Sequence, residues 1–127
     1  PDVIAEYNSS YEPGVVIAVA GLSNGLGGAL AANLNLPVIN CPPFKDMMDL
    51  SLNIHSSLLM PSGVPAATVA NPDLAAHAAL RALNLPRLRK RFDEDRETLK
   101  NKLIADDARV SQLARTVLQG SLHNTQR

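Results

Sequence analysis

Residues 15–28, VVIAVAGLSNGLGG, constrain the fold of this chain more than any other stretch. An unbroken apolar run passes into a turn of small and polar residues, and a Gly- and Ala-rich helix then opens. An apolar run of this length reads as a strand buried on both faces, the situation in a parallel sheet covered by helices. Gly21, Ser23, Asn24, Gly25 and Gly27 follow at its carboxyl end, where open α/β sheets place their ligands. Small residues there let a ligand approach the backbone, while Ser23 and Asn24 supply a hydroxyl and an amide for orientation. The run lacks the Gly-Lys-Ser/Thr end of a phosphate-binding loop, and its spacing departs from the dinucleotide fingerprint. By itself it fits a small-ligand turn and a tight packing turn equally well.

The alternation continues along the chain. Residues 2–7 read as the end of a helix, and Glu12-Pro13-Gly14 as a turn before a strand over 15–20. A helix is expected over 25–34, with Asn35 breaking it, and a second short strand over 37–40. Cys41-Pro42-Pro43 stops that strand, because proline fixes φ and removes a donor. Asp46 is a candidate N-cap for a helix carrying Met47, Leu50 and Ile54 at helical spacing. Residues 56–63 read as a loop and 66–69 as a third strand. Asn71 caps a helix through Leu83, with Pro72 in its first position. A long charged helix begins at Pro86, with Leu88, Phe92, Leu99, Leu103 and Val110 as its apolar positions. Such an order of strands and helices predicts an α/β fold, three-layer αβα with a parallel, flavodoxin-like sheet. We divide the chain into an α/β portion (1–85), a C-terminal helix of the same domain (86–119) and a frayed tail (120–127).

Charge and cysteine content narrow the function classes. Twelve Lys and Arg balance twelve Asp and Glu, which gives no reason to expect a nucleic-acid or membrane partner. No signal peptide and no bilayer-spanning apolar run is recognisable, so a cytoplasmic location is expected. Cys41 is the only cysteine; it offers neither a disulfide nor a zinc spacing and reads as a small buried residue. His55, His77 and His123 lack metal-ligand spacing, and no metal is expected. His77 reads as a packed or interface histidine. The basic run 87–91 is followed at once by Asp93-Glu94-Asp95, so ion pairing within a helix explains it better than a nucleic-acid patch.

Charge is also unevenly placed. Between residues 14 and 86 the only charged residues are Lys45, Asp46, Asp49, Asp73 and Arg81, whereas 87–119 hold nine basic and six acidic residues. A small monomer must coat its surface with polar groups. The central block cannot, so it is expected to be buried against other subunits.

Two further segments, LPVINCPP (36–43) and SSLLMPSGVPAATVA (56–70), accompany AVAGLSNGLG. In this order and at these separations the three resemble the phosphoribosylaminoimidazole (AIR) carboxylase domain, most closely its class II form, found in animal purine-synthesis enzymes. That class reads Ala-Gly-Arg-Ser-Asn-Gly-Leu, then Pro-Val-Ile-x-Cys-Pro-Pro, then Ser-Ser-Leu-x-Leu/Met-Pro-Ser-Gly. The likeness spans roughly residues 1–85. The family's domain opens with two strands followed by Gly-Ser-x-Ser-Asp and Ser-Ala-His-Lys loops, which bind the ribose phosphate. Neither loop occurs here. The first βαβ unit is therefore expected to be missing from the chain as given and to lie upstream in a longer polypeptide.

The resemblance implies carboxylation of aminoimidazole ribotide with CO2 in de novo purine (IMP) synthesis. No cofactor is implied, neither biotin nor ATP, and the expected assembly is a homo-oligomer, an octamer. On this analogy Ser23 and Asn24 are catalytic, and with Gly21 they hold CO2 or the new carboxylate. Ala20, Gly25 and Leu26 complete that substrate-binding turn. Met60, Pro61, Ser62 and Gly63 cover the imidazole, and Cys41 and Pro42 shape the pocket wall. Leu22 and Leu59 stand where class II carries arginines, and Gly25 stands where class I bacterial mutases carry a histidine. Two other readings stay open. One is a catalytically silent scaffold or regulatory relative, motivated by Leu22 and the missing phosphate loops. The other is a flavodoxin-like small-molecule binding module.

Overall fold

Three short parallel strands organise the chain: β1 (Val16–Ala18), β2 (Val38–Asn40) and β3 (Ala67–Thr68), side by side in that order. The computed structural model describes the backbone of residues 2–124 and the side chains of residues 3–118. Val16 pairs with Val38 and Ala18 with Asn40, while Asn40 also pairs with Thr68 on its other side. Beyond the strand ends, Cys41 N donates to Ala18 O at 2.8 Å and Val69 N to Asn40 O at 2.9 Å. Parallel strands need crossover connections. Helix α2 (Gly25–Asn33) joins β1 to β2, and α3 (Met47–Asn53) with α4 (His55–Leu58) lies between β2 and β3. Helix α1 (Asp2–Ser9) precedes the sheet and α5 (Pro72–Leu83) follows it.

Side chains alternate across a strand, and this sorts the apolar residues into two layers. Val16, Ala18 and Val38 face α2, packing with Leu30, Ala31 and Leu34. Val15, Ile39 and Cys41 face α5, packing with Ala75, Ala78 and Ala79. The helix on each side meets the sheet largely through alanine, which fits a chain with two Phe, two Tyr and no Trp. The result is the expected three-layer αβα arrangement. Among the described residues no βαβ unit precedes β1.

Two expectations need correction. The strand over 15–20 is not buried on both faces: Ile17 is 36% and Val19 61% exposed, while β2 is buried throughout. Position in the sheet explains the contrast, since β1 is an edge strand and β2 has a neighbour on each side. Residues 56–63 are not all loop. Ile54 keeps right-handed helical angles (φ −64°, ψ −28°), so α3 passes into the single turn of α4. Leu58 N donates to Ile54 O at 3.1 Å and Leu59 N to His55 O at 2.9 Å. The loop proper is 59–63, closed by Val64 N donating to Pro61 O at 3.1 Å. Gly63 has φ +79°, the left-handed angle of the third position in a type II turn, which favours glycine.

Capping agrees with the sequence. Asp46 Oδ1 accepts from Asp49 N at 2.9 Å, and Asn71 Oδ1 accepts from Leu74 N at 3.0 Å. Asn84 takes a left-handed conformation (φ 47°) and ends α5. His77 is exposed on α5, so it is not packed within its own chain.

Pro1–Leu85 and Pro86–Arg127 form two compact units. The second is one helix, α6 (Pro86–Asn124). Its backbone stays helical through Gly120, and residues 125–127 of the expected tail lie outside the described residues. Lys90 pairs with Glu94 at 3.8 Å, Lys100 with Glu97 at 3.7 Å and Arg109 with Asp106 at 3.1 Å; Arg96 also pairs with Asp93. All are exposed pairs three or four residues apart, each worth a few tenths of a kcal/mol.

Candidate functional site

The turn after β1 holds two non-glycine residues in the left-handed region, Leu22 (φ 57°) and Asn24 (φ 44°). A side chain there costs roughly 1–2 kcal/mol, less for asparagine, whose short amide bonds locally. Neighbouring groups hold the turn in place. Ser56 Oγ lies 2.9 Å from Leu22 O and 3.0 Å from Asn53 O, and its single proton serves one carbonyl at a time. Asn24 N donates to Gly21 O at 3.3 Å. Asn24 Oδ1 accepts from Gly27 N at 3.2 Å and so caps α2, while Asn24 Nδ2 donates to Ser57 Oγ at 3.0 Å.

Beneath the turn lies a buried polar cluster. Asn40, at the carboxyl end of the central strand, is 0% exposed. Its Nδ2 donates to Ser57 O at 3.4 Å, and Thr68 Oγ1 donates to the same carbonyl at 2.7 Å. Ser57 therefore joins β1's turn, β2 and β3 through its hydroxyl and its carbonyl. Asn40 Oδ1 is buried with no hydrogen-bond partner, an arrangement most proteins avoid. A Cβ on Gly27 would lie 2.0 Å from that oxygen and 2.6 Å from Asn24 Oδ1, so α2 starts this close to the sheet only because residue 27 has no side chain.

The three sequence segments converge here. A Cβ on Gly21 would sit 3.7 Å from Pro43, and one on Gly28 would sit 4.0 Å from Met60 Sδ. On the α5 side, a recess of about 320 Å³ is lined by Val19, Cys41, Pro42, Pro43, Phe44, Ala70 and Pro72. These residues follow the ends of all three strands. A larger hollow of about 700 Å³, whose walls include Pro37, Pro65 and Ala82, lies at the amino ends of the strands, away from the turn.

Of the expected site residues, Cys41 and Pro42 line the recess and are buried. Gly21, Ser23, Gly25 and Leu26 are exposed at the turn, with Ala20 half-buried at the strand end. Pro61, Ser62 and Gly63 are exposed, and Met60 is half-buried. Asn24 differs from its neighbours: it is buried and faces inward, so it positions the turn. Asn40, Ser57 and Thr68 are additions that sequence reasoning missed. One signal was available, a polar Asn40 closing an otherwise apolar strand.

Ser23, Gly25 and Leu26 are exposed where α2 begins, and a hydroxyl beside the first amides of a helix lies at its positive end. That set suits a carboxylate. Leu22 is 80% exposed beside it and contributes no charge. Among the described residues no cluster of His, Cys, Asp or Glu could hold a metal ion, and no helix is long and apolar enough to cross a membrane.

Comparison with known proteins bears on these segments directly. The sequence profile of the AIR carboxylase family matches residues 1–102. The chain is 54% identical over 82 residues to the probable multifunctional protein ADE2 of Caenorhabditis elegans, covering 65% of this chain and 19% of that protein. It is 34% identical over 118 residues to the N5-carboxyaminoimidazole ribonucleotide mutase of Methanocaldococcus jannaschii, covering 89% of this chain and 74% of that one. The crystal structure of Treponema denticola PurE is similar with a TM-score of 0.74 and 33% identity, over 85% of this chain and 69% of that chain. The chain thus spans about a fifth of the animal relative's length, and its relatives come from animals, archaea and bacteria alike.

Proposed function

The chain belongs to the AIR carboxylase family, and from that membership we propose that it is part of an enzyme carboxylating aminoimidazole ribotide with CO2 in purine (IMP) biosynthesis. One observation supports the reading: the first segment approaches the second where Gly21 nears Pro43, and approaches the third where Gly28 nears Met60.

The aminoimidazole carbon is enamine-like and already nucleophilic, so neither biotin nor ATP is needed to activate it. A carbon–carbon bond forms to CO2, the electron pair moves onto the carboxylate oxygens, and the ring then releases its proton to restore aromaticity. The protein's task is to hold neutral CO2 beside the ring and to stabilise the developing carboxylate. In this proposal Ser23 Oγ and the Gly25 and Leu26 amides meet that charge. Asn24 sets their geometry through its cap on Gly27 N, Gly21 and Ala20 let the ring approach, and the Met60–Gly63 loop covers the imidazole. Cys41 and Pro42 form the apolar wall.

The proposal extends to a class II, animal-type carboxylase. Gly25 supports it, occupying the position where the mutase class carries its histidine. It extends also to a homo-octamer, supported by exposed Met47, Met48, Leu52, Leu58 and Leu59, all more than half exposed in a single chain, and to a cytoplasmic location. Ribose-phosphate loops would come from an upstream segment. The test is an assay of the full-length polypeptide with aminoimidazole ribotide and bicarbonate-derived CO2, without ATP. Carboxylation supports the proposal. Turnover of the N5-carboxylated isomer alone would reassign it to the mutase reaction. Activity with neither would favour the silent scaffold, for which the uncharged, exposed Leu22 is the supporting observation.

A further inference from the structure

Helix α6 carries an exposed apolar seam. Leu103, Val110 and Val117 recur every seven residues, and Leu99 and Leu113 stand four residues before Leu103 and Val117. This is the a/d spacing of a coiled coil, with Asp106 as the one polar d position between Leu99 and Val117. Phe92, one heptad before Leu99, is buried, but the five seam residues are 58–69% exposed. The family match ends at residue 102, so most of the seam lies outside the part of the chain that the carboxylase reading explains.

The charges flanking the seam state which partner fits. Asp95, Lys102 and Arg109 precede the a positions, and Lys100 and Asp107 follow the d positions. In a parallel, in-register pair, each g residue faces the e residue five positions on in the other helix. Asp95 then meets Lys100 of the second copy, and Lys102 meets Asp107. Two-fold symmetry repeats both pairs on the other flank, giving opposite charges at every charged g–e contact. An antiparallel pair with the same apolar layers would set Arg109 against Arg109 and Asp107 against Asp107 of the second copy. Asp106, the polar layer, is already neutralised within its own helix by Arg109 Nη2 at 3.1 Å. A single polar core position of this kind fixes register at some expense of stability.

We infer that α6 pairs with α6 of a second copy of this chain as a parallel, in-register two-stranded coiled coil over Leu99–Val117. The contact is about 27 Å long at 1.5 Å per residue, and it stands independently of the proposed carboxylase activity.

The test uses the full chain with Val110→Cys, which places a thiol in an a layer facing itself. Mild oxidation should yield a disulfide-linked dimer, while the wild-type chain, whose only cysteine is the buried Cys41, should not. Two further chains carry the same thiol: one with Lys100→Glu and Lys102→Glu, the other with Asp95→Lys and Asp107→Lys. Each should cross-link poorly with itself, and their mixture should cross-link roughly tenfold faster than either alone. Circular dichroism confirms in each case that α6 is still helical. Absence of the Val110→Cys dimer in a helical protein overturns the inference. Equal cross-linking in all combinations overturns it too, because random collision would then explain the disulfide.

Discussion

Asn40 Oδ1 lies 2.0 Å from the point a Cβ on Gly27 would occupy. The first turn of α2 therefore rests on a buried amide of the central strand, with no room for even a methyl group between them. The contact links the turn that presents Ser23 to the middle of the sheet.

Gly27→Ala is expected to destabilise the protein by about 1–3 kcal/mol, the usual range for overpacking a closed site. Both oxygens crowding the new methyl belong to short side chains that are themselves held, Asn24 by Ser57 and Asn40 by the strand. Gly25→Ala is the contrast: nothing lies within 4 Å of its Cβ position, so the change should be neutral or stabilising by up to about 1 kcal/mol. Urea denaturation midpoints separate the two, and equal midpoints would contradict the packing described.

Asn24→Ala removes the cap on Gly27 N and leaves alanine in a left-handed conformation, at a combined expense of about 2–3 kcal/mol. Asn24→Gly restores the backbone freedom but not the cap and should recover about half of that. A double-mutant cycle of Asn24→Ala with Ser57→Ala should show a coupling of roughly 0.5–1.5 kcal/mol, because Nδ2 and Oγ bond each other directly. Strict additivity would mean the hydrogen bond contributes nothing.

Ser23→Ala should leave stability almost unchanged, since the residue is exposed. If its hydroxyl meets the developing carboxylate, the carboxylation rate of the full-length enzyme should fall on the order of 10²-fold. A wild-type rate removes Ser23 from the proposed site.

Leu22→Arg places a guanidinium on the exposed rim of the same turn. Affinity for the carboxylated product should rise by about 1.5–3 kcal/mol, the range for a charge-assisted hydrogen bond. Titration calorimetry reads this directly. Unchanged affinity would mean the pocket is built around leucine.

Light scattering at micromolar concentration should report a closed oligomer, an octamer on the family expectation. A stable monomer would leave Met47, Met48 and Leu52, each at least 71% exposed, without an explanation.

The sequence by itself determined the order of strands and helices, most of their boundaries and the parallel character of the sheet. These follow from local rules: apolar runs between prolines and glycines, Asp46 and Asn71 at N-caps, and Pro72 at a first helical position. It also singled out three segments, through a resemblance to a known family, that the fold brings near one another. What tertiary structure decided was how burial is divided among them. An apolar run cannot report whether its strand sits at an edge, so the exposure of Ile17 and Val19 became visible only once β1 had one neighbour. Residues 56–63 read as loop because serines and a proline surround them, yet helical angles at Ile54 carry the chain through another turn. Asn24 read as a ligand group because its amide lies in the turn; in the fold that amide is buried, caps Gly27 N and donates to Ser57 Oγ. Asn40, Ser57 and Thr68 are far apart in the chain and individually unremarkable. Their hydrogen bonds exist only after three strand ends meet, because contact between distant residues is a property of the packed fold and not of local sequence.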